Sequence, residues 1–568
     1  MKCNPIIACG VLFGLATSCS SLKSMQDNAD KINFNVVPQV LETKGDQVTF
    51  DLTANFPEKY FLKNATLKAT PVLRYADGET DLAPISFQGD NIRGNSMTIS
   101  YDNGGSYNYD GKIDYDKTMR RSELYIDLVA YQKNKTLNFE PIKVADGVVA
   151  TSTLLSILPL SSFGEHGFER TTYEDHEADI HFLVNRFNLD SNKEMASDDI
   201  RLLKFYLSQA NWNDKQDIED IEVSGYASPE GKASFNERLS KSRKDESEEF
   251  MADQLLRLRI EGNEIRTKFT AEDWEGFKQY LEKSDIEDKE LILRVLSMYD
   301  DPEVREREMR NLAQTFDAVA DEVLPKLRRS RITTRIKTIG KSDEELVRLA
   351  NTDPGSLTEE ELLYAATIGT DNDRKLLYYN TYIRMHPDEW QGYNNKGCTL
   401  VKKGLYADAK KDFEKAQELN PTSAIIKNNL GAIALYDGDL DKAEKLLSDA
   451  TGKGINELDY NLGTLYLSKG DYAKAASYLK GTNSSNEALV NILSERYSDA
   501  EKALENAGES ALNHYLMAII GARVGNISTV CGELQKAIAM DETYRDVAKT
   551  DVEFIEYANT DSFKSVVR

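Results

Sequence analysis

The sequence predicts a multidomain chain: an N-terminal β-sandwich, a central α/β domain carrying a helical insert, and a C-terminal all-α solenoid. Three patterns carry this. Apolar residues alternate with a period of two from residue 31 to about 160. Strand-like and helix-like runs alternate from about 170 to 342. A helical pattern with a thirty-four-residue period occupies 343 to 568. At 568 residues the chain is too long for one core. Its formal net charge of −25 repels a phosphate backbone, so no nucleic-acid role is expected.

The first segment reads as a leader. "MKCNPIIACGVLFGLATSCSS" has Lys2, an apolar stretch from Ile6 to Ala16, and small residues before Cys19. The stretch is too short for a permanent membrane span. It resembles the lipobox of bacterial lipoproteins, although Leu15 stands one place early for that pattern. The resemblance implies a signal peptide over 1–18, lipidation of Cys19 and a lipidated tether over 19–30. The other reading is an ordinary secretory leader. Beyond Cys19 only Cys398 and Cys531 remain, which is no disulfide framework.

Residues 31–165 are expected to form an immunoglobulin-like sandwich. Val48, Phe50 and Leu52 share one face of "QVTFDLTANF", and Leu124, Ile126, Leu128 and Ala130 share one face of "SELYIDLVAY". Turns are expected at Asp77-Gly78, "DNGG" (102–105), Asp110-Gly111 and Asp146-Gly147.

In the central region, strands are expected over 178–189, "IEDIEVSGYAS", 264–270 and 331–339. Helices are expected over 197–210, capped by Ser197, and from "FNERLSKSRK" onward. A helical insert is expected at about 271–327. The cluster Arg328-Arg329-Ser330-Arg331 reads as a solvated edge or, alternatively, as a contact for glycan strands or acidic partners. The histidines at 166, 176 and 181 match no metal-binding spacing, so no metal and no cofactor is expected.

The run Gly225…Gly231…Asn236…Leu239-Ser240…Arg243 matches five positions of the OmpA-like peptidoglycan-binding motif. Residues 170–342 therefore resemble an OmpA-like domain. That family holds the diaminopimelate of a peptidoglycan stem peptide. The resemblance gives Arg243 the ligand carboxylate, by its planar fork, and Asn236 a helix-cap or loop-fixing role. At the family's aspartate, the partner of the ligand ammonium, this chain has Ser228. Losing one charge-assisted contact costs about 1.5–3 kcal/mol. Glu230 either restores the charge or is a solvated turn residue.

In 343–568, Gly397, Ala409, Phe413, Ala416 and Pro421 keep the spacing of a tetratricopeptide repeat, and Gly431, Ala443, Leu447 and Ala450 repeat it. Gly463, Ala475 and Leu479 give a third copy, with worn copies after it. Such solenoids present a groove, expected to recruit protein partners. Taken together, the chain resembles OmpA-family lipoproteins of the Bacteroidetes. The resemblance implies a non-enzymatic protein, lipid-anchored in the outer membrane and facing the periplasm, that binds peptidoglycan. The competing expectation is a scaffold or assembly factor of an envelope or secretion complex, whose OmpA-like domain no longer binds wall.

Overall fold

The computed structural model describes residues 21–189, 197–230, 232–286, 289–299, 301, 304–305, 307–308, 311, 319–368 and 371–568. Cys19, the leader, Gly231 and much of the insert lie outside the described residues. The chain divides into two compact units, Met1–Glu165 with Thr370–Arg568, and His166–Gly369.

The N-terminal part of the first unit is sheet-rich. Its strands are β1 (Asn33–Val37), β2 (Val40–Lys44), β3 (Gln47–Phe56), β4 (Thr66–Tyr75), β5 (Gly78–Asp81), β6 (Ile85–Gly89), β7 (Met97–Ile99), β8 (Gly105–Asp114), β9 (Ser122–Gln132), β10 (Lys135–Asn138) and β11 (Ile142–Val149). The alternation predicted for β3 and β9 is present: Val48, Phe50, Leu52 and Ala54, and Leu124 to Ala130 at every second residue, enter one core. The immunoglobulin plan has about seven to nine strands; here β2 pairs antiparallel with β3 and parallel with β11, which links all eleven.

Two of the four expected turns lie inside strands. Asp110-Gly111 sits within β8 and Asp146-Gly147 within β11. These glycines serve close approach rather than turning. A Cβ at Gly111 would meet the Phe50 ring at 2.2 Å, and one at Gly147 would meet Leu41 Cβ at 2.7 Å.

The chain leaves the N-terminal sheet at Val149, sixteen residues before the predicted boundary at 165. Ser152 Oγ donates to Gly45 O (3.0 Å) and pairs with Thr43 Oγ1 (2.7 Å). Thr151 Oγ1 donates to Glu553, which Arg523 holds at 3.0 Å. These contacts fix the N-terminal sheet to the C-terminal helices of the same unit.

Those helices are the repeats: α4 (Trp390–Lys402) with α5 (Tyr406–Leu419), α6 (Ala424–Tyr436) with α7 (Leu440–Asp449), α8 (Leu458–Ser468) with α9 (Tyr472–Leu479), α10 (Ser485–Leu493) with α11 (Tyr497–Asn506), and α12 (Ala511–Arg523) with α13 (Ile527–Met540); helices α1 (Asp198–Trp212), α2 (Ala233–Leu258) and α3 (Trp274–Glu282) belong to the second unit. The small residue in the first helix seats a large one from the second. A Cβ at Gly397 would stand 2.6 Å from Phe413, at Gly431 2.7 Å from Leu447, and at Gly463 2.4 Å from Leu479.

The second unit is a four-stranded sheet ordered β12 (Thr171–His181), β15 (Arg329–Ile339), β13 (Gln216–Tyr226), β14 (Ile265–Thr270). Among the described strands of this sheet, β13 and β14 run parallel and the other neighbours antiparallel. Helix α1 (Asp198–Trp212) is capped by Ser197 and buries Ile200, Leu203, Leu207 and Ala210. Helix α2 (Ala233–Leu258) buries Phe250, Met251 and Leu255. Strand β12 starts seven residues earlier than predicted and stops at His181, because it pairs with β15 along its whole length, Thr171 opposite Ile339 and His181 opposite Arg329. Polar side chains on this edge hid it from a hydrophobic pattern.

The described part of the insert includes α3 (Trp274–Glu282), Lys289–Met298 and Leu324–Leu327 around Phe277, Leu281, Ile292 and Val323. Helices Asp343–Thr352 and Glu359–Ala365 belong to this unit and not to the repeats. Lys215 pairs with Glu345 and Lys341 with Glu361, at 2.8 and 2.7 Å. Helical periodicity alone did not show which body they join.

Candidate functional site

The motif loop between β13 and α2 is built by close packing. A Cβ at Gly225 would lie 2.3 Å from Ser240 O and 2.7 Å from Lys244 N, so strand and helix meet only over a glycine. Lys232, not Asn236, occupies the N-cap position of α2. Asn236 is buried in the first turn and donates to Glu230 O at 3.2 Å, which fixes the loop.

Arg243 is only 1 % exposed. Its guanidinium donates from Nη1 to Tyr226 O (2.8 Å), from Nε to Arg186 O (3.1 Å) and from Nη2 to Leu183 O (3.4 Å). It also stands over the Phe182 ring at 5.3 Å. Burial, with a further push from the Arg328 charge, lowers its pKa to about 10 against the pull of Glu230. It therefore stays charged at neutral pH, and three of its five N–H groups hold main chain.

Ser228 is buried, and its hydroxyl donates to Glu230 Oε1 at 3.1 Å. A carboxylate thus stands beside the serine that replaces the motif's aspartate. The same oxygen accepts from Arg328 Nη2 at 2.8 Å and Nε at 3.2 Å. Glu230 is no freely solvated turn residue; it has a cation of its own.

The basic cluster is not a solvated edge. Arg329 is buried, donates to Asp273 Oδ2 at 2.8 Å and lies 4.5 Å from the centre of the Tyr226 ring. Arg331 grips Asp179 with two bonds of 2.8 and 2.9 Å. Ser330 Oγ donates to Arg243 O at 3.1 Å. Each cation in the row answers a carboxylate from a different element: the motif loop, the start of α3, and β12. His176 stacks on Tyr206 with centroids 3.8 Å apart.

A second site has no counterpart in the sequence expectations. The first helices of the repeats line a face that carries Asn395, Asn429, Asn461 and Asn486. Each carboxamide bridges one residue of the segment that leaves the N-terminal sheet, accepting its N–H and donating to its C=O. Asn486 holds Ser156 (3.0 and 2.8 Å), and Asn461 holds Leu160 (3.2 and 2.8 Å). Asn429 holds Ser162 (2.8 and 2.9 Å), and Asn395 holds Gly164 (2.6 and 3.0 Å).

The amides also bond to one another, Asn429 to Asn394 Oδ1 at 2.9 Å and Asn461 to Asn428 Oδ1 at 3.0 Å. The Cys398 thiol donates to Ser162 O at 3.1 Å, and burial pushes its pKa up to about 12. Phe163 packs against the buried cluster that includes Cys398, Leu400 and Phe413, under the Lys402 ammonium. The groove expected to receive partners is filled by residues of its own chain. A signal was present: Asn394-Asn395 and Asn428-Asn429 repeat at the thirty-four-residue period, three and two residues before Gly397 and Gly431.

Tetratricopeptide-repeat family models match residues 390–423 and 434–488. No curated protein matches the sequence. Among solved structures, a tetratricopeptide repeat protein from Parabacteroides merdae is 14% identical, covering 37% of this chain and 90% of its own at a TM-score of 0.29. Pseudomonas aeruginosa pilF is 14% identical, covering 40% and 98% at 0.27. YrrB, a TPR protein with an unusual peptide-binding site, is 16% identical, covering 33% and 88% at 0.22. The chain carries tetratricopeptide repeats, the mark of a protein-interaction scaffold.

Proposed function

We propose that this protein is a non-enzymatic scaffold of the bacterial envelope. Cys19 carries its lipid anchor in the outer membrane, facing the periplasm. The central unit is an OmpA-like module that serves as a structural body. The observation behind this reading is the position of Arg243. An arginine that grips a stem-peptide carboxylate needs its fork free, and this one is buried against three carbonyls. That reverses the order of the two readings drawn from the sequence.

Peptidoglycan binding is the second reading, favoured by the carboxylate of Glu230 beside Ser228. In that reading the loop carrying Leu183 and Arg186 moves aside, and the ligand ammonium competes with Arg328 for Glu230.

Co-sedimentation of the soluble chain, from Ser20 onward, with purified sacculi separates the two. The scaffold reading expects the parent to stay in the supernatant. Sedimentation of the parent that Glu230→Gln abolishes would establish the wall anchor instead. Glu230→Gln keeps the side chain's shape, so loss of binding reports charge rather than unfolding.

A further inference from the structure

The asparagine face is chemically a reader of main chain. A carboxamide has one acceptor and two donors, which match the N–H and C=O of one residue of an extended strand. Three of the clamped residues, Leu160, Ser162 and Gly164, are spaced by two, as in a strand. Such contacts accept many sequences, and the pockets beside them decide which.

The selective positions are visible. Ser162 and Gly164 are buried, and a Cβ at Gly164 would stand 2.9 Å from Trp390. Leu158 and Leu160 point outward, 55% and 38% exposed. No charge occurs between Asp146 and Glu165. If the segment left, the buried amides of Asn395, Asn429 and Asn461 would lose main-chain partners, a state that calls for another extended chain.

We propose that the repeat groove is a peptide-binding site and that residues 155–164 are its built-in, displaceable occupant. Its ligand from outside is an extended, uncharged segment of a protein partner, with small residues such as Ser and Gly at the positions of Ser162 and Gly164 and an aromatic between them. This rests on the scaffold reading of the repeats, but not on the membrane anchor or on the central unit. The chain then opens to its partner only when the segment leaves. The segment competes from within the same molecule, at an effective concentration on the order of millimolar.

The test uses the soluble chain from Ser20 onward and a fluorescent peptide, LLSILPLSSFGE, copying residues 154–165. Ser162→Pro removes the N–H that Asn429 accepts and loosens the internal segment. If that segment is closed 99% of the time in the parent, the peptide binds Ser162→Pro about a hundredfold more tightly. Adding Asn429→Ala abolishes the gain. Equal binding to parent and Ser162→Pro, or none to a folded Ser162→Pro, overturns the proposal.

Should that variant fail to fold, hydrogen exchange on the parent decides. Excess peptide is expected to speed exchange at Ser156, Leu160, Ser162 and Gly164 while β3 and β9 stay protected. A copy of the peptide with proline at the positions of Ser162 and Gly164 is expected to do nothing. Unchanged protection under saturating peptide overturns the proposal. Because no sacculi enter either assay, its failure is distinguishable from failure of the wall-binding reading.

Discussion

The motif loop of the central unit and the groove of the repeats both use side chains to hold main chain, and they do so with different chemistry. At the loop one cation, Arg243, donates to three carbonyls and accepts nothing. At the groove four neutral amides donate and accept in pairs. A buried charge whose partners are removed is expensive, so the loop is committed to one arrangement. A neutral amide exchanges one peptide unit for another at little cost, so the groove admits substitution. The arginine of the motif holds three carbonyls of its own chain, whereas asparagines that no motif marked hold four residues of the segment 156–164.

Substitutions at three positions test this contrast. The largest effect is expected from Arg243→Ala, which leaves three carbonyls and a cavity. It should destabilise the central unit by about 3–5 kcal/mol in a urea titration. A loss under 1 kcal/mol would mean that the arginine is free for a ligand after all.

Next, Asn429→Ala orphans the N–H of Ser162, whose C=O keeps Asn394 and Cys398 as donors, and should cost about 1–3 kcal/mol in the unit that holds the repeats. Asn429→Asp keeps the acceptor, loses the donor and buries a charge. Its melting temperature is expected to fall below that of Asn429→Ala; a value at or above it would show that the groove tolerates a carboxylate at this position.

The smallest effect belongs to Glu230→Gln. The Arg328–Glu230 pair is partly exposed, with side chains 11% and 30% accessible. Its neutralisation should cost about 1 kcal/mol or less. The salt dependence of the central unit's stability should weaken with it, whereas salt should leave the Asn429→Ala difference unchanged.

Several features were legible from residue order because their physics is local. The alternation in β3 and β9 and the thirty-four-residue spacing of Gly397 and Gly431 each state which face is buried. Gly225 is legible as a backbone position for the same reason. Other features were misread because their meaning is non-local. Asp110-Gly111 and Asp146-Gly147 have turn composition, yet Phe50 and Leu41 from other strands take up the space their missing side chains leave. Helices 343–352 and 359–365 continue a helical pattern, yet their ion pairs tie them to the sheet before them.

By itself the sequence determined the kinds of element, their order and the packing of each repeat, since these follow from periods of two, 3.6 and thirty-four residues. Only the tertiary structure decided what the polar side chains do. Arg243, Glu230 and the asparagines carry chemistry that suits a ligand or the protein's own backbone equally well. The choice depends on which chain segment arrives within hydrogen-bonding distance of them, and Leu183 and Gly164 come from about sixty and 231 residues away.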